Sequence, residues 1–269
     1  QMNDAHIYCT EDQFKDEFIS VCNMYLHYFD IFEIEKYEMR LSLHDKKDLG
    51  GKYVDMPDLW LKTEDYVRDA LNESQINFVE IEGEAAFYGP KIDVQFTTLL
   101  GREESMSTIQ LDFAAKERFG LTYIDDTGGE NGEVFVIHRA PLSTHERFVA
   151  FLTEHWAGKF PTWISPIQTH VLTISEKQNE YGARVVDALE KANIRVKTDF
   201  SDNTIGKKIR THRKMRPAYM LIIGEEEAAE ETVAIRGRNG KQRNKVKLEE
   251  FRDELLDEIN NRNKHLKLV

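Results

Sequence analysis

The stretch FPTWISP at residues 160–166 sets two prolines around an aromatic pair. Proline fixes φ and donates no backbone N–H, so neither a helix nor a central strand runs through such a segment. On either side of it the chain keeps a different rhythm. Before it, six strand-like segments crowd together: AHIYC (5–9), EKYEMRLSL (35–43), NFVEIE (77–82), KIDVQFTTLL (91–100), STIQLDF (107–113) and EVFVIH (133–138). Few helices intervene. Thr10 with Gln13 three residues on is a capping-box start, followed by Phe14, Phe18, Val21, Cys22, Tyr25, Leu26 and Phe29 at helical spacing. Pro57 opens a second helix over 57–74, and a third is expected from Pro141 through Phe148, Phe151, Leu152 and Trp156. The segment DDTGGENGE (125–133) reads as a loop. Many strands with few helices imply an antiparallel sheet carrying helices, an α+β domain over 1–160.

Beyond the prolines the order is strand, helix, strand, helix, strand. THVLTI (169–174) leads to a helix capped by Ser175 and running through Leu189. IRVKTDF (194–200) leads to a helix over NTIGKKIRTHRKM (203–215), and YMLIIG (219–224) follows. A hairpin over TVAIRGRNGK (232–241) turns at Asn239-Gly240, and LEEFRDELLDEI (248–259) closes as an amphipathic helix. Such alternation predicts an α/β domain over 161–269 with a mixed, mainly parallel sheet and right-handed crossovers.

The chain of 269 residues is 41% hydrophobic, enough for two packed cores. No run of about 18 apolar residues offers a membrane span, and no basic-then-apolar start marks a signal peptide. Two cysteines fit a reducing, cytoplasmic home rather than a disulfide framework. The chain starts without Met, inside strand-like sequence, and is expected to be a piece of something longer. The net charge of −12 is unevenly placed: residues 167–269 hold 21 basic and 17 acidic side chains, the rest 15 and 31. The second domain is therefore the part suited to a polyanion.

Charged groups gather at VIHRAPLSTHERF (136–148), where an apolar strand ends in His138 and a helix carries Arg147. Taken alone, a histidine closing a strand and an arginine on a helix face also have ordinary structural uses. The arrangement resembles motif 3 of the class II aminoacyl-tRNA synthetases, a strand followed by a helix bearing an arginine. NDAHIYCTEDQ (3–13), FYGPKIDV (87–94) and FPTWISPIQ (160–168) resemble further segments of the threonine-specific branch, in the same order. The resemblance covers nearly the whole chain.

That resemblance implies ATP-dependent ligation of L-threonine to tRNA(Thr) through a threonyl-adenylate. It implies a zinc held by one cysteine and two histidines. His6 and His138 match the histidines, and the cysteine lies upstream of motif 2, outside this chain. A three-ligand zinc keeps a position open for substrate. Threonine and valine are near isosteres that an apolar pocket separates by only ~10²-fold; zinc bound to both the amino and hydroxyl groups would reject valine. Cys9, three residues from His6, offers a rival site, but in a strand it faces the other way and is assigned to the core. Asp4 matches the acceptor of the threonine hydroxyl. Tyr88 and Lys91 match residues that line the substrate pocket, Lys91 with a catalytic role, although alone it would read as an ordinary exposed strand lysine; Gln110, on a strand facing the same site, is assigned to substrate binding, with an edge polar residue as the alternative. Arg147 matches the arginine on the γ-phosphate of ATP, a task that suits a bidentate guanidinium, with Mg²⁺ assisting.

In the second domain, which resembles the class IIa anticodon-binding domain, basic residues concentrate on one helix (Lys207, Lys208, Arg210, Arg213, Lys214, Arg216) and on the hairpin (Arg236, Arg238, Lys241, Arg243). RNA needs phosphate neutralisation and contacts to unstacked bases. Arg210, Arg216, Glu227 and Arg236 match anticodon readers. The family pattern departs at Met2, at Glu104-Ser105-Met106 and at Ser143, where glycine is common. Motifs 1 and 2 have no counterpart in the chain, so it is expected to be inactive alone and to belong to a homodimeric parent. The alternatives are a non-catalytic RNA-binding protein on a synthetase fold, or a sibling enzyme such as a prolyl-tRNA synthetase.

Overall fold

The computed structural model describes residues 1–132 and 134–269. The chain divides into two compact units, Gln1–Phe151 and Leu152–Val269.

The first unit begins with β1 (Ala5–Cys9) and α1 (Glu11–Ile31). Gln13 Oε1 accepts the Thr10 N–H at 3.1 Å, closing the start of α1 as its sequence implies. There follow β2 (Tyr37–Leu43), α2 (Pro57–Glu73), β3 (Phe78–Glu82), β4 (Lys91–Thr97) and β5 (Glu103–Asp112). Then come a short α3 (Ala115–Phe119), the two-residue strands β6 (Tyr123–Ile124) and β7 (Glu130–Asn131), β8 (Phe135–Ala140) and α4 (His145–His155). Six strands form one sheet in the order β1-β8-β5-β4-β2-β3, antiparallel throughout except β2 with β3. That parallel pair flanks α2, which is the crossover a parallel pair requires. One sheet face is apolar: Leu41, Ile92, Ile109, Leu111 and Ile137 are fully buried. The other face is polar, as period-two alternation dictates.

Several boundaries differ from those read off the sequence. The strand expected over 91–100 stops at Thr97, because Gly101, at φ +77°, turns the chain. Its partner starts at Glu103 rather than 107. A bulge opposite Val94 and Gln95 shifts the register there, so strict alternation breaks around Met106. The loop at 125–133 carries β7, which pairs with β6. Glu133, expected to open the strand over 133–138, lies outside the described residues, and β8 runs on to Ala140. The helix expected from Pro141 starts at His145, after a turn in which Ser143 takes φ +55°.

The second unit contains β9 (Thr169–Thr173), α5 (Asn179–Lys191), β10 (Val196–Asp199), α6 (Ile205–Arg213), β11 (Tyr219–Ile223), α7 (Glu225–Glu230), β12 (Thr232–Gly237), β13 (Gln242–Lys247) and α8 (Leu248–Asn260). Its sheet runs β10-β9-β11-β12-β13: β9 pairs in parallel with β10 and β11, and the β11·β12 and β12·β13 pairs are antiparallel. Val171, Leu221, Ile235, Val185, Leu189, Phe251 and Leu255 form the buried core. The hairpin is longer than 232–241. Only Gly240 has positive φ, +88°, and Gly237 O accepts its N–H, so the turn is a three-residue loop rather than a two-residue Asn-Gly turn.

Candidate active site and RNA-facing surface

Four strands place one residue each in a single line across the polar face. His6 of β1 pairs with His138 of β8, His138 with Gln110 of β5, and Gln110 with Lys91 of β4. Directly paired residues project to the same face, so four of the predicted residues, scattered over 132 positions of sequence, become neighbours. The His6 and His138 rings lie 4.4 Å apart at 89°. Asp4 reaches within 4.0 Å of His6 Nε2. The Tyr88 hydroxyl donates to Gln110 Oε1, and its ring lies 5.4 Å from that of His138. Burial raises the Tyr88 phenol above its ordinary pKa, and the charges of Asp112 and Asp4 add to this. Lys91 pairs with Asp93 at 2.7 Å.

Glycine at 89 is what lets Tyr88 lie so near. A Cβ there would fall 1.8 Å from the Leu111 carbonyl oxygen. The close approach allows Leu111 N–H to reach Pro90 O and Phe113 N–H to reach Tyr88 O, tying the turn to β5.

Asp112 belongs to this group and escaped sequence reasoning. Its Oδ2 lies 3.1 Å from His138 Nε2, and its Oδ1 accepts the N–H groups of Ala114 and Ala115. The readable signal was its place two residues beyond Gln110, on the same strand face. A carboxylate on one imidazole nitrogen frees the other for a metal and fixes the ring's orientation. Cys9 is buried with its thiol toward Phe135 O, on the face opposite His6. Among the described residues no group of three or more His, Cys, Asp or Glu could hold a metal ion. The two histidines by themselves fall short of the three protein ligands that a catalytic zinc takes.

Arg147 stands apart from the row, near the start of α4. Its Nη2 lies 3.7 Å from Glu104 Oε2, at the far end of β5 from Gln110. Met2 forms an isolated bridge to Thr144 beside it.

In the second unit Arg213, Arg216, Arg236, Arg238 and Lys159 line one pocket of about 270 Å³ with Met220 and Pro217. Among the described residues no carboxylate lies within ion-pair distance of Arg210, Arg213, Arg216 or Arg236. Arg210 lies on the exposed side of α6. Other basic residues have internal duties. Lys208, read as part of the RNA-facing helix, is 1% exposed and donates to the carbonyls of Thr173 and Asp199. It projects inward from α6 to the ends of β9 and β10, where these carbonyls satisfy its ammonium. Arg243 pairs with Glu250 and Glu254 of α8, and Arg238 donates to Pro217 O and Phe160 O. Glu227 Oε2 accepts the Gly224 N–H at 2.9 Å, capping α7.

The sheet and the strand–turn–helix that follows it lie within a match to the class II aminoacyl-tRNA synthetases. The chain belongs to that family: the model described as tRNA synthetase class II core domain (G, H, P, S and T) matches residues 1–156, and the anticodon binding domain model matches residues 164–258. Among individual relatives it is similar to threonine–tRNA ligases. It is 44% identical over 259 residues to that of Geobacillus kaustophilus and 43% identical over 251 residues to that of Halalkalibacterium halodurans. These matches cover 96% and 93% of the chain, which spans 39% of each relative's length. The RNA binding domain of threonyl-tRNA synthetase from Cryptosporidium parvum Iowa II superposes with a TM-score of 0.87 at 33% identity. That match covers 99% of this chain and 64% of the other.

Proposed function

We propose that the chain is the C-terminal part of a threonine–tRNA ligase, supplying half of the amino-acid site and the whole anticodon-reading module. The line His6–His138–Gln110–Lys91 carries this reading, because it gathers a metal-ligating pair, an amide and a cation on one open face. A zinc held there would act as a Lewis acid toward the amino and hydroxyl groups of threonine. Asp4, beside His6, accepts the hydroxyl proton, which valine lacks. Tyr88 and Gln110, bonded to each other, border the amino acid. Lys91, oriented by Asp93, offers positive charge to the threonine carboxylate and the α-phosphate as they meet. The carboxylate oxygen attacks the α-phosphorus in line, and pyrophosphate leaves. Arg147 holds the γ-phosphate, exchanging Glu104 for ATP; at 3.7 Å and half exposed, that ion pair is weak enough to give way. Mg²⁺, when bound with ATP, would share the phosphate charge.

Arg210, Arg216 and Arg236 face the tRNA anticodon, with Glu227 at the start of α7 beside them in the proposed contact set. The test is threonine-dependent ATP–pyrophosphate exchange. A full-length ligase carrying this sequence shows it and loses it on Arg147→Ala. The 269 residues alone do not, since the motif 1 and 2 chemistry is supplied from elsewhere. Retained tRNA binding without exchange in the full-length protein would favour a non-catalytic RNA binder instead.

A further inference from the structure

The second unit has a lateral row of its own: Lys197, His170, Met220 and Arg236 are successive partners across β10, β9, β11 and β12. His170 is 1% exposed, yet it lines a second pocket, of about 240 Å³, with Phe160, Ile167, Lys197, Met215 and Arg216. Its Nδ1 lies 2.6 Å from His212 Nδ1, and His212 Nε2 lies 3.1 Å from Asp199 Oδ2.

With both rings neutral, this chain of contacts fixes the protons. Burial works against the Asp199 carboxylate, but hydrogen bonds from Ser201 and His212 hold it below the usual carboxylate range. An ionised carboxylate only accepts, so His212 Nε2 carries the hydrogen. A neutral His212 then has a lone pair on Nδ1, and the hydrogen between the two rings belongs to His170 Nδ1. His170 Nε2 is left with a lone pair and no partner among the described residues. Protonation of His170 is opposed by burial, by a charge on His212 and by the nearby Lys197; Lys208 and Arg216 are the other cations beside it.

We propose that His170 is a base-reading residue: its Nε2 accepts a hydrogen bond from a ring or exocyclic N–H of an unstacked nucleobase in single-stranded RNA, whose flanking phosphates lie against Lys197 and Arg216. An anion is the wrong occupant for the floor of this pocket, because it would meet a lone pair. A flat ring suits walls contributed by Phe160, Ile167 and Met215, and the cationic rim suits its backbone. Because Arg216 lines both pockets, a strand passing it reaches the Arg236 site as well. A base presenting only acceptors at this position is rejected, since two lone pairs would then face each other. The inference rests on the reading that this unit binds RNA, and it adds the selectivity.

The 269-residue chain is titrated with anticodon stem-loop RNA of tRNA(Thr), and with versions in which each loop base is replaced in turn. His170→Phe is expected to weaken binding of the unaltered loop roughly tenfold and to erase discrimination at one loop position. His170→Gln, which restores an acceptor, recovers part of both. Lys197→Ala weakens all loops alike. In a ¹⁵N spectrum of the unaltered chain, the His170 Nε2 resonance is that of an unprotonated nitrogen and moves when RNA is added. A protonated Nε2 in the free chain, or His170→Phe binding with unchanged affinity and preference, overturns the inference while leaving the RNA reading intact. If the unaltered chain binds no loop at all, both fall.

Discussion

His138 faces two partners at once: the His6 ring opposite it in the β1·β8 ladder, 4.4 Å away, and the Asp112 carboxylate, 3.1 Å from its Nε2. The carboxylate pins the ring through one nitrogen and leaves the other for whatever the histidine pair binds. Asp112→Asn is therefore predicted to lower zinc affinity of the full-length ligase about 10- to 100-fold with the fold retained. Competition with a metal-binding dye measures this.

Ser143 occupies the left-handed region at φ +55°, in the turn between β8 and α4. A side chain costs about 1–2 kcal/mol there relative to glycine, which is the physical reason for glycine at this point of motif 3. Ser143→Gly is predicted to raise unfolding stability by about 1 kcal/mol after its larger unfolded-state entropy is counted. Urea denaturation is the check.

Both thiols are buried, and burial pushes Cys9 up to about 11 and Cys22 up to about 12, with Glu17 and Asp12 adding to the former. The thiolate is the reactive species, so neither cysteine should react with a disulfide reagent at pH 8 in the native chain. In denaturant both should react within minutes.

Burial, with the charges of His212 and Lys197, depresses His170 from 6.5 to about 4. Between those values the unfolded chain binds a proton that the native chain refuses. Stability thus rises with pH across this window and is lost as pH falls from about 6.5 toward about 4. Asp199, whose carboxyl is held low, loses its contribution at more acid pH still and stays in place in the variant. His170→Phe should flatten the slope in the upper window specifically, measured by denaturant unfolding at a series of pH values.

Much of the architecture was legible because its signals are local. Period-two alternation exposes His6 and Tyr8 and turns Ile7 and Cys9 inward, and helical spacing puts Phe14, Phe18, Cys22 and Tyr25 into the core. The division into a mostly antiparallel unit and an α/β unit followed from the same patterns. What stayed hidden depends on register between distant strands. Nothing near His138 in the sequence says that Gln110 sits on one side of it and His6 on the other. The bulge near Met106 breaks the alternation of β5 without a glycine or proline to announce it. Lys208 looked like its basic neighbours on α6. Its burial depends on carbonyls at the ends of two strands, one of which precedes it by 35 residues. The His170–His212 pair was silent for the same reason, since its role exists only across elements, while Asp112 was marked only by its place two residues beyond Gln110 on β5.

In the proposed function His6 and His138 bind the metal that reads threonine. The zinc content of a full-length ligase carrying this sequence, with and without His138→Ala, tests this together with its discrimination of threonine from valine. About one zinc per protomer is expected in the parent, with a large loss in the variant and a collapse of valine rejection with it. Unchanged zinc and unchanged discrimination in a folded His138→Ala protein would contradict it.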